Sequence, residues 1–249
     1  MKVLGSVART AFYFKKIQGL CPDWKLQYKF KCRSTEYELT NLLQDSPVQR
    51  NKPIAIVAKE QLSGIGQNSR SWFSPKGGIW LSAAYPIFSS EFSSETLSLS
   101  FAIKLCEMFQ MESINVDLKW PNDIFYDSKK LIGFLPRVIT RGKEIIYMRI
   151  GLGMNFSNKT PLEGIALSEI LKTKNICEHY WTAKILKTIH DSVEFNGKKE
   201  YIIENANKYL TKKQLPRGYN SKYWKIKDVD NNGNLRIYNQ TQEKVLKRF

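Results

Sequence analysis

The sequence predicts an α+β fold: a mixed, largely antiparallel sheet with helices packed on one side, followed by a small β module. Strand-like runs follow one another between Asn115 and Met154, so the sheet is built largely from hairpins. Two helix-like stretches come after them, and the chain changes character again past Pro216-Arg217-Gly218, where short β-like pieces alternate with turns.

Each element follows from local pattern. Pro53–Ala58 is short and apolar, as a buried strand is. Gln61–Ser71 is polar and glycine-containing, a loop. Gly78–Pro86, rich in Ile, Trp, Leu and Tyr, reads as a second strand. In Ser94–Gln110 the residues Leu97, Phe101, Leu105 and Met108 share one helical face, with Ser94 and Glu95 at its start. Strands follow near Asn115–Lys119, Lys130–Ile139 and Glu144–Met154, then helices over Tyr180–Phe195 and Lys199–Leu210. The tail carries Lys222–Lys227, Leu235–Asn239 and Glu243–Leu246, the first two separated by the turn Asp230-Asn231-Asn232-Gly233. A boundary near Leu215 divides the chain into a main domain, 1–215, and a small module, 216–249.

Composition bounds the function. With 249 residues and 42% hydrophobic content, burying a core presents no difficulty. No apolar run reaches membrane-spanning length, and no membrane association is expected. Met1–Pro22 is basic and lacks acids before Asp23, as a transit peptide does; Arg9 interrupts any signal-peptide core, and we read an ordinary N-terminal element. Cys21, Cys32, Cys106 and Cys177 lie far apart with only His179 and His190 as imidazoles, which argues against a zinc site or a disulfide framework and for reduced thiols in the cytoplasm. The net charge of +16 raises encounter rates with anions. The cations are spread along the chain, in clusters no longer than Lys198-Lys199 and Lys212-Lys213, so most belong to a solvated surface.

The chemistry concentrates in Lys119–Gly133. Pro121 lacks a donor and holds Trp120 extended, so the chain is expected to turn out of the sheet there, bringing Lys119, Asn122 and Asp123 to an edge. A cation, an amide and a carboxylate suit a nucleotide polyphosphate with its Mg²⁺. A second cation, Lys129 or Lys130, returns on the next strand, and Gly133 permits close approach.

These residues, Lys119-Trp120-Pro121-Asn122-Asp123 and Lys130-Leu131-Ile132-Gly133, resemble the signature of the biotin–protein ligases. Gln61 through Pro75 resembles that family's biotin-binding loop, Gln-x-x-Gly-Arg-Gly-Arg-x-Gly-Arg-x-Trp-x-Ser-Pro. Ile150-Gly151-Leu152-Gly153-Met154-Asn155 resembles its Ile-Gly-x-Gly-x-Asn, and Arg33-Ser34-Thr35 overlaps the family's Ser-Thr-Asn through Ser34-Thr35.

The resemblance implies an ATP-dependent ligase. Biotin carboxylate attacks the α-phosphate of ATP to give biotinyl-5′-AMP and pyrophosphate, and a lysine of a biotin carboxyl carrier protein, such as that of acetyl-CoA carboxylase, then attacks the mixed anhydride, forming an amide and releasing AMP. It implies that Ser34, Thr35, Gln61, Gly64, Gly66, Gln67, Gly133, Gly151 and Gly153 bind biotin. Arg70, Lys119, Asn122 and Asn155 would serve ATP, with Asn155 reaching the adenine end, and Asp123 the metal. Lys130, with Lys119, would offset the repulsion between two reacting anions. Trp72 is expected to pack beneath the loop.

Departures accompany the resemblance. Ile65 and Gln67 replace two loop arginines, and Ser69 replaces a glycine, while Arg70 remains. Arginine makes bidentate charge-assisted bonds that Gln67 and Ile65 cannot, so weaker retention of the acyl-adenylate, or compensation by Arg70, is expected. Glu36 replaces the asparagine after Ser-Thr and adds negative charge near an anion site. Asp228–Gly233 fits the start of an EF-hand loop, but Arg236 and Asn239 stand at ligand positions, so calcium is not expected. The same stretch resembles a turn of the family's small SH3-like C-terminal barrel, here abridged. About thirty residues precede the Ser-Thr match, too few for a DNA-binding domain, so DNA is not an expected partner. Three other readings stay open: a ligase-fold protein with weak adenylation, a lipoate ligase (which lacks support from an Arg-Arg-x-x-Gly-Gly-Gly pattern), and a nucleic-acid-binding module resting on charge alone. Oligomeric state stays open too, a homodimer through a sheet edge being one arrangement.

Overall fold

In the computed structural model the described residues are 5–17, 23–45, 52–88, 92–142 and 144–247. Cys21, the two ends of the Met1–Pro22 segment and Phe249 lie outside them. In chain order come α1 (Ser6–Ile17), β1 (Lys25–Lys29), α2 (Thr35–Asp45), β2 (Ile54–Ala58), β3 (Gly64–Ile65), β4 (Ser71–Trp72), β5 (Ile79–Pro86) and α3 (Leu97–Met111). Then follow β6 (Asp117–Lys119), β7 (Asp123–Tyr126), β8 (Lys129–Arg141), β9 (Glu144–Met154), α4 (Leu167–Ile170), α5 (Glu178–Glu194) and α6 (Lys199–Tyr209). The tail forms β10 (Lys225–Val229), β11 (Leu235–Tyr238) and β12 (Glu243–Leu246).

Seven strands make the main sheet in the order β1-β2-β5-β9-β8-β7-β6. Only β1 and β2 run parallel; the other neighbours are antiparallel. Side chains alternate between its faces. Ala55, Val57, Leu81, Ala83, Ile150 and Phe134 point into the main core, where α3 and α5 cover them. Ile54, Ile56 and Ala84 point the other way, against Leu39 of α2. The mixed, largely antiparallel sheet with helices massed on one side is the expected fold; α2 covers part of the opposite face, and Trp72 with Cys32 packs on Trp80 of that same face. That opposite face carries the cleft.

Three elements differ from their sequence reading. The helix expected over Ser94–Gln110 begins at Leu97, and Ser98, Ser100, Ala102, Ile103 and Cys106 are buried as fully as its apolar stripe. It is a central helix, packed by α5 and α6. Trp120–Asn122 turns out of the strand at the sheet edge as expected but returns at once: it is the tight link of the β6–β7 hairpin, in which Lys119 pairs with Asp123. The first tail strand lies at Lys225–Val229, displaced toward the turn from Lys222–Lys227.

The tail strands form their own antiparallel sheet, β10-β11-β12, whose Ile226, Val229, Leu235 and Ile237 join the main core. Asn207 of α6 seals the contact, donating to the Val229 carbonyl at 2.9 Å and accepting from its amide at 2.8 Å. The residues that mimic a calcium loop are engaged internally: Arg236 grips both oxygens of Asp228, at 2.6 and 2.5 Å. Among the described residues no helix is long and apolar enough to cross a membrane.

Candidate active site

Alternation along three neighbouring strands builds the floor of a cleft of about 550 Å³. On the face away from the core, β5 presents Trp80 and Ser82, β9 presents Arg149, Gly151 and Gly153, and β8 presents Gly133, Leu135 and Arg137. Their register sets Ser82 beside Gly151 beside Leu135, and Trp80 beside Gly153 beside Gly133. The start of α2 and the segment from Gln61 to Trp72 form the walls.

One end is polar and neutral. Ser34 opens α2, its hydroxyl accepting the Glu36 amide at 3.2 Å, as a helix-capping serine does. Thr35 then points inward: its hydroxyl meets Ser82 Oγ at 2.8 Å, and both its amide (2.8 Å) and its hydroxyl (3.1 Å) reach Gln61 Oε1. Gln61 in turn donates to Ser74 Oγ at 2.8 Å. Ser34, Thr35 and Ser82 are all buried, so these contacts fix hydroxyls at a desolvated pocket end.

The other end is charged. Lys130 Nζ stands 2.7 Å from Asp123 Oδ1 and 4.5 Å from the centre of the Trp72 ring. Its backbone is pinned: the amide donates to Glu163 at 2.8 Å, and the carbonyl accepts from Ile165 at 3.1 Å. The hairpin that presents Asp123 is braced at three points. Ser98 Oγ donates to the Pro121 carbonyl at 2.7 Å, Trp120 Nε1 to Gly233 at 3.0 Å, and Asn122 Nδ2 to Phe134 at 2.8 Å. Lys119 lies behind this end, its amine 4.9 Å from the Phe125 ring centre. Burial pushes that amine below its ordinary value, with Asp123 opposing and Lys130 adding to the fall.

The loop closes on itself. Gly66 donates to the Arg70 carbonyl at 2.7 Å around Asn68, whose φ of 54° lies in the left-handed region that asparagine tolerates. Ile65, Gly66, Gln67 and Arg70 all line the cleft, Ile65 remaining exposed. Trp72 packs beneath this loop, flat on the sheet. A Cβ on Gly133 would fall 2.8 Å from the indole, and one on Gly153 only 2.4 Å from Nε1.

Of the residues singled out in sequence, Ser34, Thr35, Gln61, Gly66, Gln67 and Arg70 line the cleft, as do Asn122, Asp123, Lys130, Gly133, Gly151 and Gly153. Three do not. Gly64 sits behind the loop, 2.5 Å from Ser74 Oγ at its Cβ position. Lys119 is set back as described. Asn155 is a strut: buried, it donates to the Lys130 carbonyl at 3.1 Å and accepts from Asn158 at 3.1 Å. Gly133 and Gly153, read as sites of ligand approach, make room for Trp72, which leaves Gly151 as the bare glycine of the floor. Asp123, read as a metal ligand, holds Lys130.

Sequence reasoning missed two arginines. Arg137 and Arg149 are cross-strand partners, and both contact Glu36 Oε1, Arg149 at 2.7 Å. Burial pushes the Arg149 guanidinium below its ordinary value while Glu36 pulls it back. The negative charge that Glu36 brings is thereby outweighed by two positive ones. Alternation held the signal, since Arg137 and Arg149 share the face of Gly133 and Gly151. Arg217, in the connection to the tail, also lines the cleft and adds a cation that no local pattern announced.

Among the described residues no group of three or more His, Cys, Asp or Glu could hold a metal ion. One carboxylate beside a lysine fits a Mg²⁺ that arrives on nucleotide phosphates, which supply its other ligands, and not a resident all-protein site.

Residues 31–155, half of the 249-residue chain, match the biotin/lipoate A/B protein ligase family. The bifunctional ligase/repressor BirA of Escherichia coli is 29% identical over 113 residues, 45% of this chain and 35% of that protein. The match thus spans about a third of the length of such relatives. Among solved structures, a biotin protein ligase from Aquifex aeolicus in complex with biotin and ATP superposes with a TM-score of 0.70 at 22% identity, over 90% of this chain and 96% of that one. A Leishmania major biotin protein ligase in complex with biotinyl-5-AMP gives 0.59 at 22% identity, over 92% and 100%. At these identities the likeness is one of fold.

Proposed function

The chain belongs to the biotin/lipoate A/B protein ligase family, and from that membership we propose that it activates biotin with ATP as biotinyl-5′-AMP and transfers the biotinyl group to a lysine of a biotin carboxyl carrier protein. The observation that carries this reading is the arrangement of one cleft: a neutral hydroxyl-and-amide end at Thr35, Gln61 and Ser82, a bare backbone at Gly151, and an amine at Lys130.

Each part answers a need of the chemistry. A polar uncharged ureido ring needs fixed donors and acceptors where water is excluded; Thr35, Gln61 and Ser82 supply them. An alkyl chain needs a floor without side chains, which Gly151 provides. At the far end the biotin carboxylate must approach an α-phosphate, two anions that repel. Lys130 supplies positive charge between them, and more as charge develops at the phosphorus. Binding ATP would draw Asp123 toward the phosphate-borne Mg²⁺ and free Lys130 for the reacting oxygens. Arg70, Arg217 and Lys119 add positive potential around the phosphates. The second step breaks the mixed anhydride: the carrier amine forms an amide with the biotinyl carbonyl, and AMP leaves. Holding the reactants in line is the main demand in both steps.

With Ile65 exposed and Gln67 uncharged, the loop grips the adenylate less tightly than a loop with arginines there would. The proposal extends to a cytoplasmic location, to the division of the chain into a catalytic domain (1–215) and an abridged SH3-like module (216–249), and to a homodimer formed through a sheet edge.

The test is direct. The protein is incubated with ATP, Mg²⁺, biotin and a biotin carrier domain and probed with streptavidin. Labelling of the carrier that depends on both ATP and biotin is expected; none, under conditions where the chain is folded, overturns the proposal.

A further inference from the structure

Glu36 has an oxygen to spare. Arg137 and Arg149 both grip Oε1. Oε2 is buried and has no hydrogen-bond partner among the described residues. It lies 3.6 Å from where a Cβ on Gly151 would be, against the bare part of the cleft floor. Ser82 Oγ is 3.9 Å from the same point, so the acceptor borders the neutral polar end. A charged acceptor shut away from water without a donor is costly, and a donor supplied by a ligand would relieve that cost.

We propose that Glu36 is a specificity-determining acceptor, whose Oε2 takes a hydrogen bond from a ureido N–H of the bound acid while Arg137 and Arg149 hold its other oxygen. The inference rests on the ligase reading and deepens it. A ureido ring offers two N–H donors and one carbonyl acceptor. Its carbonyl suits the Ser82 hydroxyl, whose proton can turn from Thr35 Oγ1 into the cleft while Thr35 keeps its own on Gln61; its N–H needs an acceptor, and Glu36 provides a charged one. A dithiolane ring has no N–H, so the same carboxylate disfavours a lipoyl head, which would leave Oε2 unpaired. Where the ligases this chain resembles carry asparagine after Ser-Thr, this chain carries an acid and two arginines to hold it.

The geometry gives Glu36→Gln a definite consequence. Both arginines are donors and share one oxygen, so the amide would turn its carbonyl toward them and its NH₂ toward the cleft. A donor would then face the ligand's donor.

The experiment is calorimetric titration of the full chain with biotin, with each of two biotin analogues methylated at one ureido nitrogen, and with ATP. The wild type should bind biotin at least about tenfold more tightly than one of the analogues. Glu36→Gln should weaken biotin by about tenfold or more and shrink that preference below about threefold, with ATP affinity unchanged. Glu36→Asp keeps the charge but shortens the reach, so it should bind more weakly and retain the preference. If Glu36→Gln does not fold, the wild type and Glu36→Asp still decide. Equal affinity of the wild type for biotin and both analogues, or loss of preference in Glu36→Asp with no loss in Glu36→Gln, overturns the proposal. A wild type that takes no biotin overturns the ligase reading as well; one that takes biotin but ignores the methyl groups overturns this inference alone.

Discussion

The indole of Trp72 rests on Gly153 so closely that a Cβ there would fall 2.4 Å from Nε1. Gly151, two residues away on the same face, has nothing nearer than 3.6 Å at its Cβ position. The two glycines therefore predict opposite outcomes. Gly153→Ala must push the indole off the sheet, at an overpacking cost of about 1–3 kcal/mol, and should lower both melting temperature and adenylation rate. Gly151→Ala adds a methyl to open cleft, so its melting temperature should stay near wild type while KM for biotin rises. Thermal unfolding and initial rates on the pair separate the roles.

Lys130 is the group whose loss should cost most. Lys130→Ala removes positive charge from the reacting centre and strands Asp123, its partner at 2.7 Å. Adenylation should fall about a hundredfold or more, read as kcat for biotin-dependent pyrophosphate release. Asn155→Ala acts at one remove, through the Lys130 carbonyl, and should lower the rate less.

The loop predicts a gain as well as losses. Gln67 lines the cleft without charge. Gln67→Arg should restore a bidentate donor and slow dissociation of biotinyl-AMP by about tenfold or more, measured by chasing labelled intermediate with excess ligand. An unchanged rate would show that the loop's charge does not set retention.

His179 predicts a pH dependence of stability. Its Nδ1 lies 3.3 Å from Thr10 Oγ1 and 3.5 Å from the Tyr28 hydroxyl, tying α1, β1 and α5 together. Burial pushes its value below the ordinary 6.5; Glu178 opposes, while Lys59 and Arg9 add to the fall. A depressed folded value means that the unfolded chain takes up the proton first. Full stability is therefore present above about pH 6.5 and is lost as pH falls through the folded value. Melting temperatures should drop on that descent, and His179→Gln should flatten the drop.

How much of this was legible in the sequence depended on whether a signal was local. Ile54–Ala58 and Glu144–Met154 announce themselves by composition, and their positions follow closely. The helix α2 was invisible because Leu39, Leu42 and Leu43 are its main apolar residues in an otherwise polar stretch, and it covers only the small second face of the sheet. The edge strand β1, Lys-Leu-Gln-Tyr-Lys, was too polar to stand out, and β7 too short, beginning two residues after Pro121. At the site, motifs brought Lys130, Asp123, Thr35 and Gln61 forward one at a time. What they could not give was register. The meeting of Arg137, Arg149 and Glu36 depends on pairing strands β8 and β9 beneath a helix that starts more than a hundred residues earlier in sequence, and the burial of Gly153 depends on where Trp72 folds back.

The central claim is that this cleft makes an acyl-adenylate. Biotin-dependent exchange of labelled pyrophosphate into ATP reads that step alone, before any carrier is needed. Exchange is expected with biotin and wild-type protein, absent without biotin, and reduced by about a hundredfold or more in Lys130→Ala. A folded wild-type protein with no biotin-dependent exchange, or a Lys130→Ala variant that exchanges as fast as wild type, would contradict the account.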